Sequence, residues 1–145
     1  MVGKKLYYED VQVGDELPRM VKHPTTRQLV KWAGASQDWN ELHYDKDVAQ
    51  KAGLPNVIVQ GHLTSSFLAQ LVTDWMGEDG FVKKFIVNWK RFHFPGEDIV
   101  CRGKVTAKRV EGNEHIVECD LWTENAQGEV YAPHKAIVVL PSKAQ

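Results

Sequence analysis

The spacing of apolar residues divides the chain into a helical first part and an extended second part. Residues 7–20, YYEDVQVGDELPRM, hold a Val-Gly-Asp turn and then Pro18, and are expected as an irregular lead-in to a first strand. In the next stretch Thr25 or Thr26 can cap a helix, and Gln28 stands three residues after Thr25 as in a capping box. Leu29, Val30, Trp32 and Ala33 give that helix its apolar side. Gly34 and Ser36 weaken it, so SQDWNELH, residues 36–43, is expected as loop. Asp45 opens a second short helix with an acid at its positive end, and Gly53 stops it. After an extended LPNVIVQ comes the most apolar helix of the chain, with Leu63, Phe67, Leu68, Leu71, Val72 and Trp75 on one stripe. From 61 to 75 it would run about 22 Å at about 1.5 Å per residue, and it is the natural centre of a core.

Beyond Gly80 the pattern is that of strands. FVKKFIVNWKRFHF (81–94) is expected as one long aromatic strand turned by Pro95-Gly96. Residues 98–112, 115–128 and 129–141 supply three more, with Gly112-Asn113 and Ala126-Gln127-Gly128 as hairpin turns. There is no internal repeat and no low-complexity linker. Helices first and an antiparallel sheet afterwards make the fold class α+β, a sheet wrapped around the 62–76 helix.

Composition narrows the function. A length of 145 residues fits one domain, 1–145, with a sizeable core, and 43% hydrophobic and 26% charged residues are globular values. A formal net charge of -1 gives no electrostatic reason to expect nucleic acid or an anionic membrane as partner. No apolar run approaches the roughly 20 residues needed to span a bilayer. MVGKKLYYED has charge without an apolar segment behind it, so it is not read as a secretory signal. Cys101 and Cys119 lack a CxxC spacing and are read as buried reduced thiols, which points to a cytoplasmic protein. Lys83, Lys84, Lys90 and Arg91 alternate with aromatics, a pattern also found in single-strand binders; core strand is the reading preferred at this charge balance.

The candidate chemistry lies in SQDWNELHYD, which places Asp38 five residues before His43 with Asn40 between. The pair is too isolated from other Asp, Glu, His or Cys for a metal site, and no metal is expected. Ser65 and Ser66 lie within a helix without a nucleophile elbow. Two readings remain for the loop. In one, Asp38 caps a turn and His43 is an interior histidine; in the other they are an acid–base pair. A second feature is Gln60-Gly61-His62, where an extended segment meets the start of the core helix. Unpaired N–H groups and the helix dipole there suit a developing oxyanion, and glycine allows a close approach.

Together, Asp38-Trp39-Asn40-Glu41-Leu42-His43 resembles the D-x-N-P-x-H signature of MaoC-like (R)-specific enoyl-CoA hydratases. EDVQVGDEL, PNVIVQG, NWKRFHFPGED and IVVLP follow in that family's order. The resemblance implies the hot-dog fold, a curved antiparallel β-sheet around one long helix, paired into a homodimer or a double hot dog. It implies reversible hydration of a trans-2-enoyl-CoA, equivalently dehydration of an (R)-3-hydroxyacyl-CoA, with acyl-CoA as substrate and no cofactor. Asp38 and His43 become the catalytic dyad and the Gly61 N–H the oxyanion donor; Trp39, Asn40, Gln60 and His62 become substrate contacts. One of Lys83, Lys84, Lys90 and Arg91 would meet the CoA phosphates.

Three departures bear on substrate choice. The signature proline is Glu41 here, Gln60 and His62 flank the glycine where His-Gly-Met is common, and Ala69 stands where some relatives have serine. For His62 this leaves an extra polar contact or a simple helix-start side chain. LVTDWMG after HYDKD also resembles small hydratase subunits that pair with another hot-dog chain in steroid side-chain degradation, which implies a bulky acyl group and a heteromeric partner. The other readings carried forward are a hot-dog acyl-CoA thioesterase, with Asp74 as the only acid on the long helix, and a non-catalytic acyl-binding subunit.

Overall fold

The computed structural model describes residues 3–144; Met1, Val2 and Gln145, which belong to the expected 1–145 domain and to the N-terminal stretch read above, lie outside the described residues. The strands are β1 (Met20–Lys22), β2 (Phe81–Ile86), β3 (Ile99–Glu111), β4 (Glu114–Glu124) and β5 (Val130–Leu140). The helices are α1 (Thr26–Ser36), α2 (Lys46–Lys51) and α3 (Gly61–Met76), with single 3-10 turns at Tyr8–Asp10 and Glu41–His43. All strand pairs are antiparallel in the order β1-β3-β4-β5-β2. The sheet curls around α3 as the hot-dog arrangement requires.

Local chemistry accounts for the helix starts. Thr25 caps α1 by accepting the Gln28 N–H (3.2 Å), and Asp45 caps α2 by accepting the Val48 N–H (3.1 Å). Gly53, at φ 87°, ends the α2 turn. α3 buries Leu63, Phe67, Leu68, Leu71, Val72, Trp75 and Met76 against the inward residues of the sheet, among them Ile99, Cys101 and Val105 of β3 and Val117, Cys119 and Leu121 of β4. Beyond α3, Gly77 adopts φ 76°, and a Cβ there would stand 2.3 Å from the Lys4 carbonyl oxygen, so the lead-in can pass only over glycine.

One strand is shorter than expected. The 81–94 strand stops at Ile86, which pairs with Lys135. The next residue of β5, His134, meets the Asn88 N–H with its side-chain Nδ1 (3.1 Å), and Pro133 beyond it has no N–H to donate. The ladder is therefore cut, and residues 87–98 peel away from β5. Their main chain bonds elsewhere, from the Val59 N–H to the His93 carbonyl (2.8 Å) and from the Gly96 N–H to the Pro24 carbonyl (2.8 Å). This displaced segment forms one wall of the site described next.

Candidate active site

The loop after α1 is built by short polar side chains. Gln37 takes a left-handed conformation (φ 63°) and ends the helix. Asp38 Oδ1 accepts the Asn40 N–H (3.4 Å), and Asn40 Oδ1 accepts the Leu42 N–H (3.1 Å), two Asx-type turns in succession. The Tyr44 hydroxyl donates to the Trp39 carbonyl (3.1 Å). The chain from Asp38 thus folds back on itself and carries His43 inward to 8% exposure.

His43 is oriented by main chain. Its Nδ1 lies 2.8 Å from the Ile58 carbonyl oxygen, and the Ile58 N–H donates to the Leu42 carbonyl (3.0 Å). A carbonyl can only accept, so Nδ1 carries the proton and the neutral ring has its lone pair at Nε2. Nε2 stands 3.7 Å from Asp38 Oδ2, beyond direct hydrogen-bond range. Two acceptors at that spacing can share one water, which has an O–H for each, lying about 2.8 Å from both.

Gly61 opens α3. The Gln60 side chain does not cap the helix, and the Thr64 N–H is the first to find a main-chain partner, the Gln60 carbonyl (3.1 Å). The N–H groups of the first turn are left for a ligand, as at any helix start. Glycine is required here by contact: a Cβ on Gly61 would stand 2.8 to 3.0 Å from three ring atoms of Trp89. That indole is pinned, since its Nε1–H donates to Ser65 Oγ (2.8 Å) and the Ser65 hydroxyl donates to the Gly61 carbonyl (2.9 Å).

His43 and Gly61 line a common cavity of about 360 Å³. Trp89, His93, Thr123, Tyr131 and His134 form much of its other wall. A bulge brings three of these to one side. Leu121 pairs with His134 but Thr123 pairs with Tyr131, so β5 carries one extra residue there. His134 and Tyr131, which strict alternation would put on opposite faces, therefore both reach the cavity. His93 is 5% exposed and its Nε2 is 2.8 Å from Thr123 Oγ1. Burial, with His134 nearby as a smaller cause, lowers its pKa to about 4. Burial also lowers that of His134, against a main-chain hydrogen bond with Tyr131.

The structure brings some of the sequence-predicted residues together and leaves others aside. Asp38 stands beside His43 with its side chain one-third exposed. Asn40 is exposed and its side chain holds the turn, the loop-holding role its residue type suggests. Trp39 is 54% exposed and packs edge-on against Tyr44 outside the cavity. Gln60 is at 0% exposure with its Nε2 donating to the Leu29 carbonyl (2.8 Å), so the side chain ties the start of α3 to α1 and is closed to a ligand. His62 is exposed, packs edge-on to Trp89 and lines a separate depression with Trp32 and Ala69. His93 and His134 are buried residues of the cavity wall; the sequence hint for His93 is its closeness to the PGED turn. Cys101 and Cys119 are buried free thiols, pushed up to about 12 by burial. Among the described residues no three His, Cys, Asp or Glu side chains converge as metal ligands, and no helix is long and apolar enough to cross a membrane.

A curled sheet around one helix is the hot-dog arrangement, and here one cavity holds His43 and the start of that helix, with Asp38 beside His43. The chain matches the model of the MaoC like domain over residues 9–126 and belongs to that family of hydratases and dehydratases, hydro-lyases at the general level. It is 26% identical over 134 residues, 92% of this chain and 75% of the relative, to the mitochondrial 3-hydroxyacyl-[acyl-carrier-protein] dehydratase of Arabidopsis thaliana. It is 25% identical over 95 residues, 66% of this chain and 74% of the relative, to the 3-oxo-4,17-pregnadiene-20-carboxyl-CoA hydratase beta subunit of Mycobacterium tuberculosis. The fold is that of the (R)-hydratase from A. caviae involved in PHA biosynthesis, at a TM-score of 0.82 and 23% identity, covering 92% of this chain and 99% of that one.

Proposed function

We propose that this chain catalyses the reversible addition of water to a trans-2-enoyl-CoA, the reverse being dehydration of an (R)-3-hydroxyacyl-CoA. The observation that carries the reading is His43 Nε2, left as a lone pair by the Ile58 carbonyl and 3.7 Å from Asp38 Oδ2, in a cavity that also holds the start of α3. A water donating to both groups gives up one proton, Asp38 being the main base, and its oxygen bonds to C3. The electron pair of the double bond moves into the thioester, whose oxygen gains charge at the Gly61 N–H. The same proton then returns to C2 from the same face, so water is added with nothing left over and no cofactor is called for. Lys90 and Arg91 line the cavity and are assigned to the CoA phosphates. The assembly is read as a homodimer or a higher hot-dog assembly.

A second reading draws on the beta-subunit relative: this chain as one partner of a heteromeric hydratase for a bulky acyl group. The thioesterase reading lacks comparable support, because Asp74, the only acid on α3, is exposed near its far end. A non-catalytic acyl-binding role would not require both members of the dyad. The test is the loss of enoyl absorbance with crotonyl-CoA and a bulkier enoyl-CoA for wild type, Asp38→Asn and His43→Gln. A well-placed proton transfer is worth about 10²–10⁴-fold, so each variant should lose on the order of 10²-fold or more in kcat with its fold intact. Variants as active as wild type would sink the dyad, and a wild type inert on every enoyl thioester would sink the single-chain reading.

A further inference from the structure

We infer that His93 selects the acyl group, and that the preferred acyl chain carries a neutral hydroxyl or keto oxygen beyond C3 that hydrogen-bonds His93 Nδ1. This rests on the reading of the cavity as an acyl-thioester site. His93 Nε2 is engaged by Thr123 Oγ1 at 2.8 Å, and Thr123 is 1% exposed. Nδ1 has no protein partner among the described residues, yet it is not one of the fully enclosed unpartnered atoms, which are Trp32 Nε1 and Gln60 Oε1. The small surface left to this 5% exposed side chain therefore opens into the cavity it lines.

Its position relative to the dyad is set by main chain. The His93 carbonyl accepts the Val59 N–H (2.8 Å), and Ile58, one residue earlier, holds His43. The tilted Tyr131 ring, its centroid 4.5 Å away, packs against the imidazole. His134 differs, because the Asn88 N–H and the Tyr131 main chain already engage its ring.

A wall built for a plain alkyl chain would be apolar. When such a chain displaces water from Nδ1, the nitrogen is left without a partner and binding weakens. A chain oxygen replaces that water. Burial keeps the ring neutral at pH 7, so it has one donor and one acceptor nitrogen and no charge to attract a carboxylate. A hydroxyl satisfies either tautomer; a ketone satisfies the one in which Thr123 donates to Nε2.

The test is calorimetric binding of hexanoyl-CoA beside its 4-, 5- and 6-hydroxy derivatives, saturated thioesters that cannot turn over. At least one hydroxy isomer should bind wild type about tenfold more tightly, the worth of one hydrogen bond to a neutral group. His93→Leu should bring the four to parity, and a thermal melt checks its fold; if it does not fold, the wild-type comparison decides. Equal binding of all four to wild type, no measurable binding of any, or a preference kept by folded His93→Leu would overturn the inference. Crotonyl-CoA hydration is measured in parallel. Hydration without a hydroxyl preference removes this inference and leaves the proposed reaction, while a preference without hydration does the reverse.

Discussion

Replacing Gly61 by alanine sets two effects of opposite sign against each other. In a helix, alanine is better than glycine by about 1 kcal/mol, so propensity alone predicts a more stable protein. The Trp89 contact predicts the contrary. The new Cβ would sit 2.8 Å from Cγ and 2.9 Å from Cδ2 of the indole, where carbon atoms rest at about 3.5–4.0 Å. The ring must retreat by about 0.7–1 Å at the end joined to its own backbone, so rotating the tip does not relieve it. Such a shift would take the 2.8 Å Trp89–Ser65 hydrogen bond towards its limit. Overpacking costs about 1–3 kcal/mol, which exceeds the helix gain across most of that range. The net expectation is a loss of about 1 kcal/mol in urea unfolding. With the thioester oxygen at the Gly61 N–H, as proposed above, hydration of crotonyl-CoA should fall by about 10²-fold, because a shift of about 1 Å beside it misplaces the reacting atoms. In the Gly61→Ala/Trp89→Ala double variant the steric part should vanish and the stability loss should be less than the sum of the two single losses. A Gly61→Ala protein that is more stable than wild type and equally active would refute the packing argument and the oxyanion placement with it.

Three further outcomes follow from buried groups. Gln60→Glu would put a carboxylate against the Leu29 carbonyl at a site of 0% exposure; a loss of about 3 kcal/mol at pH 7, easing as the pH is lowered and the acid protonates, is expected in urea melts, and an unchanged midpoint would show that the tie between α1 and α3 carries no weight. The folded pKa of His93, about 4, lies below its ordinary value of 6.5, so its contribution is intact above pH 6.5 and is lost as the pH falls towards 4, by up to about 3 kcal/mol; His93→Leu should flatten the melting temperature between those limits, and an unaltered slope would assign the acid sensitivity to other groups. Cys101 and Cys119, buried and pushed up to about 12, should ignore a disulfide reagent at pH 8 until denaturant is added, whereas rapid labelling of the native protein would mean that β3 and β4 open locally.

The sequence by itself determined what depends on local chemistry and on period. Thr25 and Asp45 cap helices because a side-chain oxygen reaches an N–H three residues on, and the 63–75 stripe buries because its spacing matches the helical turn. The DWNELH loop was legible for the same reason: Asp38 and Asn40 bond the main chain two residues ahead wherever they are placed. Tertiary structure decided the rest. Whether Gln60 faces a ligand or the neighbouring helix depends on the Leu29 carbonyl, 31 residues away. The end of β2 at Ile86 depends on what β5 offers it. The His93, Thr123, Tyr131 and His134 wall comes from three separated segments, and one extra residue in β5 reverses the facing that alternation would assign. Sequence spacing carries information about neighbours along the chain, and a cavity wall is made by residues that become neighbours only when strands pair.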